Sequence, residues 1–263
     1  LDDIDSLRSM NYRQRAEFIL SKYLTDFTGE ELAYCVNNAY TKEKFETDNI
    51  APVYKLNDST YFLELWHGPT CAFKDMALTV LPYLLRKGCD LCGIKEKILI
   101  LVATSGDTGK AALEGFCDVP DTEIIVFYPS DGVSPMQKLQ MDSQKGGNVH
   151  VVAIRGNFDD AQSGVKKIFT DNAVKQRLAE NGMQFSSANS INWGRLAPQI
   201  VYYVSAYCDM LNRGEDIKNG FNVVVPTGNF GNILAAYYAK KMGVPISKLI
   251  LSLIHISEPT RPY

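Results

Sequence analysis

The sequence predicts an α/β protein, with parallel sheets flanked by helices and two lobes. Three observations carry that expectation. From residue 97 onward an apolar segment, a polar loop and a helical segment alternate regularly, as parallel sheets with helices on both faces require. Residues 97–104 form a near-continuous apolar run, which suits a strand covered on both sides. The 263 residues are enough for one large domain or two smaller ones with a sizeable core.

Composition narrows the function. With 46% hydrophobic and 22% charged residues the chain has ordinary globular composition, and its net charge of −3 gives no footprint for nucleic acid or an anionic membrane. No apolar run approaches a membrane span, and the N-terminus lacks a basic-then-apolar signal pattern. The six scattered cysteines suit reduced thiols in a cytoplasmic protein. Cys89 and Cys92 form a Cys-x-x-Cys pair, but neither a second pair nor a nearby histidine completes a zinc site, so no metal is expected. The chain begins at Leu1, not Met, which reads as a fragment or a processed form.

In order, residues 12–24 carry apolar side chains at helical spacing, and Thr28-Gly-Glu-Glu resembles a capping box opening a second helix through Ala39. Residues 1–48 are read as packing without chemistry. Short strands follow at 52–56 and 61–65, around an Asn57-Asp58 turn. Residues 76–87 are helical, with a kink at Pro82 and a stop at Gly88. Strands are then expected at 97–104, 123–128, 149–154, 183–187 and 221–225. Between and after them stand helices at 110–116, 135–145, 159–181, 196–211 and from the 226–232 loop to Met242. In such sheets ligands gather at the carboxyl ends of strands, so the loops after strands are where function is sought.

The segment 65–78 places Lys74 between a Gly-Pro turn and an apolar helical run. It reads either as a solvated lysine on a surface helix or as a Schiff-base lysine whose dry surroundings make the amine nucleophilic. Two strand-to-helix loops, Thr104–Gly109 and Thr227–Asn232, are suited to bind an anion at a helix N-terminus, although any tight turn of this type favours the same residues. Together they point to a phosphorylated ligand. A nucleotide P-loop fails, because Thr104 replaces its first glycine and Ala111 its hydroxyl residue. Neither a dinucleotide fingerprint nor a nucleophile elbow is present. Residues 188–195 combine amide and hydroxyl side chains with Arg195, either a second anion site or a polar turn. His67, His150 and His255 have no partner evident from spacing; His67 lies close to Lys74 in sequence and His150 on a strand.

Four segments then carry a resemblance. His67-Gly-Pro-Thr-Cys-Ala-Phe-Lys-Asp75, Ala103-Thr-Ser-Gly-Asp-Thr-Gly109, Ser187-Ala-Asn-Ser-Ile-Asn-Trp-Gly-Arg195 and Pro226-Thr-Gly-Asn-Phe-Gly-Asn232 resemble threonine synthases in order and spacing, over about residues 1–250. The resemblance implies pyridoxal 5'-phosphate as cofactor and a fold of the tryptophan-synthase-β kind (fold type II). It implies a carbon–oxygen lyase of threonine biosynthesis that turns O-phospho-L-homoserine and water into L-threonine and phosphate. Lys74 is then the residue that binds the cofactor covalently, and once freed by the substrate amine it moves the α-proton. Loss of the β-proton expels phosphate, and water adds at the β-carbon. Gly228, Asn229, Phe230, Gly231 and Asn232 would cradle the cofactor phosphate, and Asp107 would meet the cofactor. Thr104, Ser105, Thr108, Asn189, Ser190, Asn192 and Arg195 would contact the substrate. Two other readings remain open: another lyase of the same fold, such as a serine or threonine dehydratase, and a non-catalytic relative that binds a phospholigand.

By the same resemblance, residues 1–90 hold the N-terminal region and the start of the cofactor lobe. Residues 91–186 form a smaller α/β lobe, and 187–250 part of the larger one, which is left incomplete. Family members are longer at both ends, so the residue facing the pyridine nitrogen is expected outside this chain, and the chain alone to be inactive or poorly folded. Residues 251–263 do not resemble the family and read as a non-native tail, like translated adapter sequence; the plainer reading is a strand at 249–256 followed by a Pro-containing tail.

Overall fold

The computed structural model describes residues 4–189, 192–226 and 229–251. After a 3-10 turn at Ile4–Ser9 come α1 (Tyr12–Ser21), α2 (Gly29–Ala39), β1 (Val53–Asn57), β2 (Thr60–Leu63), α3 (Asp75–Leu78), α4 (Leu81–Leu91), β3 (Lys97–Ala103), α5 (Asp107–Phe116) and β4 (Thr122–Pro129). They are followed by α6 (Pro135–Asp142), β5 (Val149–Ile154), α7 (Phe158–Thr170), α8 (Asn172–Glu180), β6 (Met183–Ser187), α9 (Trp193–Asn212), β7 (Phe221–Val225), α10 (Phe230–Lys241) and β8 (Ile246–Leu251). The chain divides into two compact units. One joins the residues up to His67 with those from Leu196 onward; the other is Gly68–Arg195.

The Gly68–Arg195 unit holds a parallel four-stranded sheet in the order β5-β4-β3-β6. Both faces of its central strands are buried, which accounts for the apolar run in the sequence. Ile98, Ile100, Val102, Ile124, Val126 and Tyr128 point into one core with Leu113, Phe116 and Met141. The alternate residues Leu99, Leu101, Ala103, Ile125 and Phe127 face the other side, with Ala161 and Val165 of α7. The chain steps outward from β3 to β4 and β5, then returns to the opposite side of β3 as β6. That reversal leaves a crevice at the carboxyl ends of β3 and β6, the place where open parallel sheets bind ligands. The loops entering it are 104–106 and, after β6, residues 188 and 189.

Several helix boundaries differ from the sequence expectation. Pro82 does not kink a helix but stands at its start: α3 ends at Leu78, and α4 begins at Leu81 with the proline in its first positions. Gly88 lies inside α4, and the chain turns instead at Gly93, whose φ is +67°. The single helix expected over 159–181 is two, because Asp171 has extended backbone and its carboxylate accepts from Ala173 and Val174, capping α8. The strand β8 completes a parallel pair with β7, Leu251 opposite Val225. Residues 252–263, which make up almost all of the expected tail, lie outside the described residues.

In the other unit, reciprocal capping boxes open α1 (Asn11 with Gln14) and α2 (Thr28 with Glu31). The reading of this region as packing misses one polar feature. Arg15 is buried, and its guanidinium donates to the Leu7 carbonyl (2.9 Å), Ser205 Oγ (2.8 Å) and Asp209 Oδ1 (2.6 Å), tying α1 to α9. The strands β1 and β2 pair antiparallel, and β7 with β8 parallel.

Candidate active site

Lys74 is fixed from both sides. Its carbonyl accepts from the amides of Ala77 (3.1 Å) and Leu78 (2.9 Å), so it stands at the entrance of α3. Upstream, Thr70 donates to the Asp75 carboxylate through its amide (2.8 Å) and its hydroxyl (2.6 Å), closing the turn that carries the lysine. Gly68 packs under that carboxylate, where a Cβ would lie 2.6 Å from Asp75 Cβ. The helix α5 in turn presses on α3: at Gly115 a Cβ would stand 2.1 Å from the Leu78 carbonyl oxygen.

The lysine side chain is 11% exposed, and its Nζ donates to Asp107 Oδ1 at 2.7 Å. Nζ also stands 4.5 Å from the centre of the Phe73 ring. Burial lowers its proton affinity and is the largest influence; Asp107 pulls the other way, Arg195 adds to the lowering, and Asp75 opposes it. The amine is therefore easier to deprotonate than an ordinary lysine, as a carbonyl-attacking amine requires. The solvated-surface alternative does not describe this residue.

The loop after β3 is held by its own first residue. Thr104 is buried, and its hydroxyl donates to the Gly106 carbonyl (3.0 Å) while accepting from the amides of Gly106 (3.1 Å) and Gly109 (3.0 Å). These bonds commit Thr104 to shaping the loop. Ser105 is exposed, while Asp107 and Thr108 are half-buried in the first turn of α5. A carboxylate in that turn already answers the helix dipole, so this helix start is a poorer place for an anion than the sequence suggests.

The loop after β6 meets the loop after β3: Asn189 Nδ2 donates to the Ala103 carbonyl at 3.1 Å. Asn192 bridges its own turn, donating to the Ser187 carbonyl (2.7 Å) and accepting from the Gly194 amide (2.8 Å). Arg195 lies inside α9 and not in the loop; it is 2% exposed and its Nη1 donates to the Ala188 carbonyl at 2.5 Å. Ser190 lies outside the described residues. Within this unit the structure thus brings Asp107 and Arg195 into electrostatic reach of Lys74.

The remaining predicted residues belong to the other unit. Asn229 caps α10, accepting from the Asn232 amide at 2.8 Å, and no acidic residue occupies the first turn of that helix. Of the two anion-suited loops, this one leads into a helix without a carboxylate in its first turn. Phe230 is exposed, Gly231 half-buried, and Gly228 lies outside the described residues. Asn232 is buried, and its Oδ1 faces the hydroxyls of Tyr202 (2.8 Å) and Tyr203. Those tyrosines, and the Thr70–Asp75 pair, stand against predicted site residues or their neighbours and were not singled out by sequence reasoning. The adjacency of Asp75 to Lys74 was the available signal. His67 does have partners, with ring nitrogens facing Glu64 (2.8 Å) and Glu46 (3.5 Å), and His150 pairs with Glu123 (3.1 Å). His255 is outside the described residues.

Comparison with known proteins shows the family of the chain. The model of the family described as pyridoxal-phosphate dependent enzyme matches residues 45–255. Threonine synthase-like 1 of Homo sapiens is 41% identical over 258 residues, covering 93% of this chain and 34% of that protein. The threonine synthase of Pseudomonas aeruginosa is 44% identical over 209 residues, 79% of this chain and 42% of that protein. Among solved structures, the PLP-bound threonine synthase of Brucella melitensis superposes with a TM-score of 0.82 at 38% identity, over 95% of this chain and 51% of that one. The chain thus spans about a third to a half of the length of these relatives.

Proposed function

For a chain that belongs to the family of pyridoxal-phosphate dependent enzymes, we propose the activity of a threonine synthase, which converts O-phospho-L-homoserine and water to L-threonine and phosphate. The observation that carries the reading is Lys74 itself. Its amine is largely withdrawn from water, is lowered in proton affinity by that burial, and is held 2.7 Å from a single carboxylate. Those features fit a lysine that holds an aldehyde cofactor. The start of α10, capped by Asn229 and free of acidic residues in its first turn, fits a phosphate.

When bound, pyridoxal phosphate supplies an electron sink that makes the substrate's α- and β-protons removable. The chain supplies the rest. Lys74 Nζ takes and returns protons, with its position held by Asp107 Oδ1. Gly228, Asn229, Phe230, Gly231 and Asn232 would hold the cofactor phosphate at the start of α10. Arg195 contributes positive charge beside Lys74, and with Ser105, Thr108, Asn189, Ser190 and Asn192 it receives the phosphorylated substrate. Thr104 acts through the loop it shapes. The described cysteines are all free, which fits a reducing cytoplasm. Among the described residues no helix is long and apolar enough to cross a membrane.

The test is a product assay with this chain joined to the part of the Pseudomonas aeruginosa protein that its match leaves uncovered. Release of phosphate from O-phospho-L-homoserine with formation of threonine is the expected result, abolished by Lys74→Ala. Keto acid formed from serine or threonine in its place would assign a dehydratase. Cofactor binding with neither product would assign a phospholigand-binding relative.

A further inference from the structure

We propose that Asp75 is a positioning residue for the Lys74 amine, acting through a clamp on Thr70 that fixes the turn in which the lysine stands. The proposal rests on the reading of Lys74 as the cofactor lysine. The helix that Lys74 enters has only four residues, too few to hold a backbone in place by their own propensity. Side-chain bonding reinforces the backbone bonds of the turn, such as that from the Cys71 amide to the Gly68 carbonyl at 3.1 Å. Thr70 presents both its amide and its hydroxyl to the two oxygens of Asp75, at 2.8 and 2.6 Å, and the Ala72 amide lies 3.5 Å from one of them. The Asp75 amide returns a bond to the Ala72 carbonyl at 3.0 Å. Cys71, between them, is held at a φ of +55°, a conformation that a side chain other than glycine enters at a cost.

An acidic residue in the first turn of a helix ordinarily answers the amides of that helix. Asp75 does not: its oxygens accept from residues that precede Lys74, so the bonds brace the approach to the lysine and not the helix behind it. Asp75 is 1% exposed, and burial raises the proton affinity of its carboxylate while the bonds from Thr70 and Ala72 oppose that rise. It stands on the residue adjoining Lys74. The charged groups that bear on the amine are then Asp107 on α5, Arg195 on α9 and Asp75 on α3, while Glu114 on α5 bears on Asp75. Position and charge are thus supplied by one side chain and are separable by mutation.

The experiment measures the rate at which pyridoxal phosphate is trapped on Lys74 by borohydride, read by peptide mapping as a function of pH. Thr70→Val breaks half of the clamp and leaves the charge, so the rate is expected to fall by about ten- to a hundredfold at every pH, with its midpoint unmoved. Thr70→Ser keeps the hydroxyl and is expected to restore the rate. Asp75→Asn removes the charge, and its midpoint is expected to move to lower pH. Unchanged rates and midpoints in Thr70→Val and Asp75→Asn, with folding intact by circular dichroism, would overturn the proposal. If Thr70→Val does not fold, Asp75→Ala, which removes both acceptors of the clamp, decides by its plateau rate above the midpoint: a fall of about ten- to a hundredfold is expected, and the rate of the unaltered chain would overturn the proposal. A label that avoids Lys74 in the unaltered chain is a different result: it rejects the reading of the lysine, and the proposal with it.

Discussion

A buried ammonium is costly, and Lys74 meets that cost only in part through the Asp107 carboxylate, which is 46% exposed and shares its charge with solvent. The consequence is visible as a dependence of stability on pH. Burial holds the proton affinity of Lys74 below that of an ordinary lysine, whose pKa is about 10.4. Between the folded and unfolded values the unfolded chain binds more protons, so stability rises with pH across that window. The penalty is fully present below the folded value and gone above the unfolded one. Lys74→Met, which keeps the stem and removes the charge, is therefore expected to be more stable than the unaltered chain at neutral pH. The difference should shrink as pH approaches about 10.4, measured as paired urea titrations. A difference that stays constant with pH would show that the amine is not desolvated. The sequence marked Lys74 and Asp107 as separate motif residues, but no spacing rule joins side chains 33 positions apart. Their meeting is made by the docking of α5 on α3.

That docking is the decisive feature among the elements. Gly115 lets the backbone of α5 come against the Leu78 carbonyl, and a methyl group there would sit 2.1 Å from the oxygen. Because the obstacle is backbone, Gly115→Ala has to move α3 or α5, and a loss of about 1–3 kcal/mol is expected in a urea titration, with slower trapping at Lys74. An unchanged midpoint of unfolding would show that the two helices are less closely set. Elements written in local chemistry were legible in advance: the Thr28 capping box and the apolar strands appear where the residues place them. The errors came from residues with two possible local meanings. Pro82 can kink a helix or begin one, and Asp171 sits inside an apparently continuous helical pattern that its own cap interrupts. Thr104 shows the same ambiguity at the site, since a hydroxyl in a loop reads equally as ligand contact or loop staple until its partners are seen.

At the scale of the molecule, the alternation of strands and helices disclosed an α/β fold and directed attention to the loops after the strands. It did not disclose strand order. The return of β6 beside β3, which brings Asn189 against the end of β3 at Ala103, is a long-range pairing that periodicity does not encode. The sheet of the Gly68–Arg195 unit carries a core on each face, both built from residues of that unit. Residues 68–195 expressed alone are therefore expected to fold, giving a cooperative urea transition and a helix-containing circular dichroism spectrum; a featureless, non-cooperative response would contradict that expectation. Relatives of this chain are named threonine synthases, and the assignment of its chemistry comes down to one amine. The most direct measurement is to incubate the protein with pyridoxal phosphate, reduce with borohydride and map the labelled peptide. A single label on Lys74 is the expected result, and a label on another lysine, or scattered over surface lysines, would contradict it.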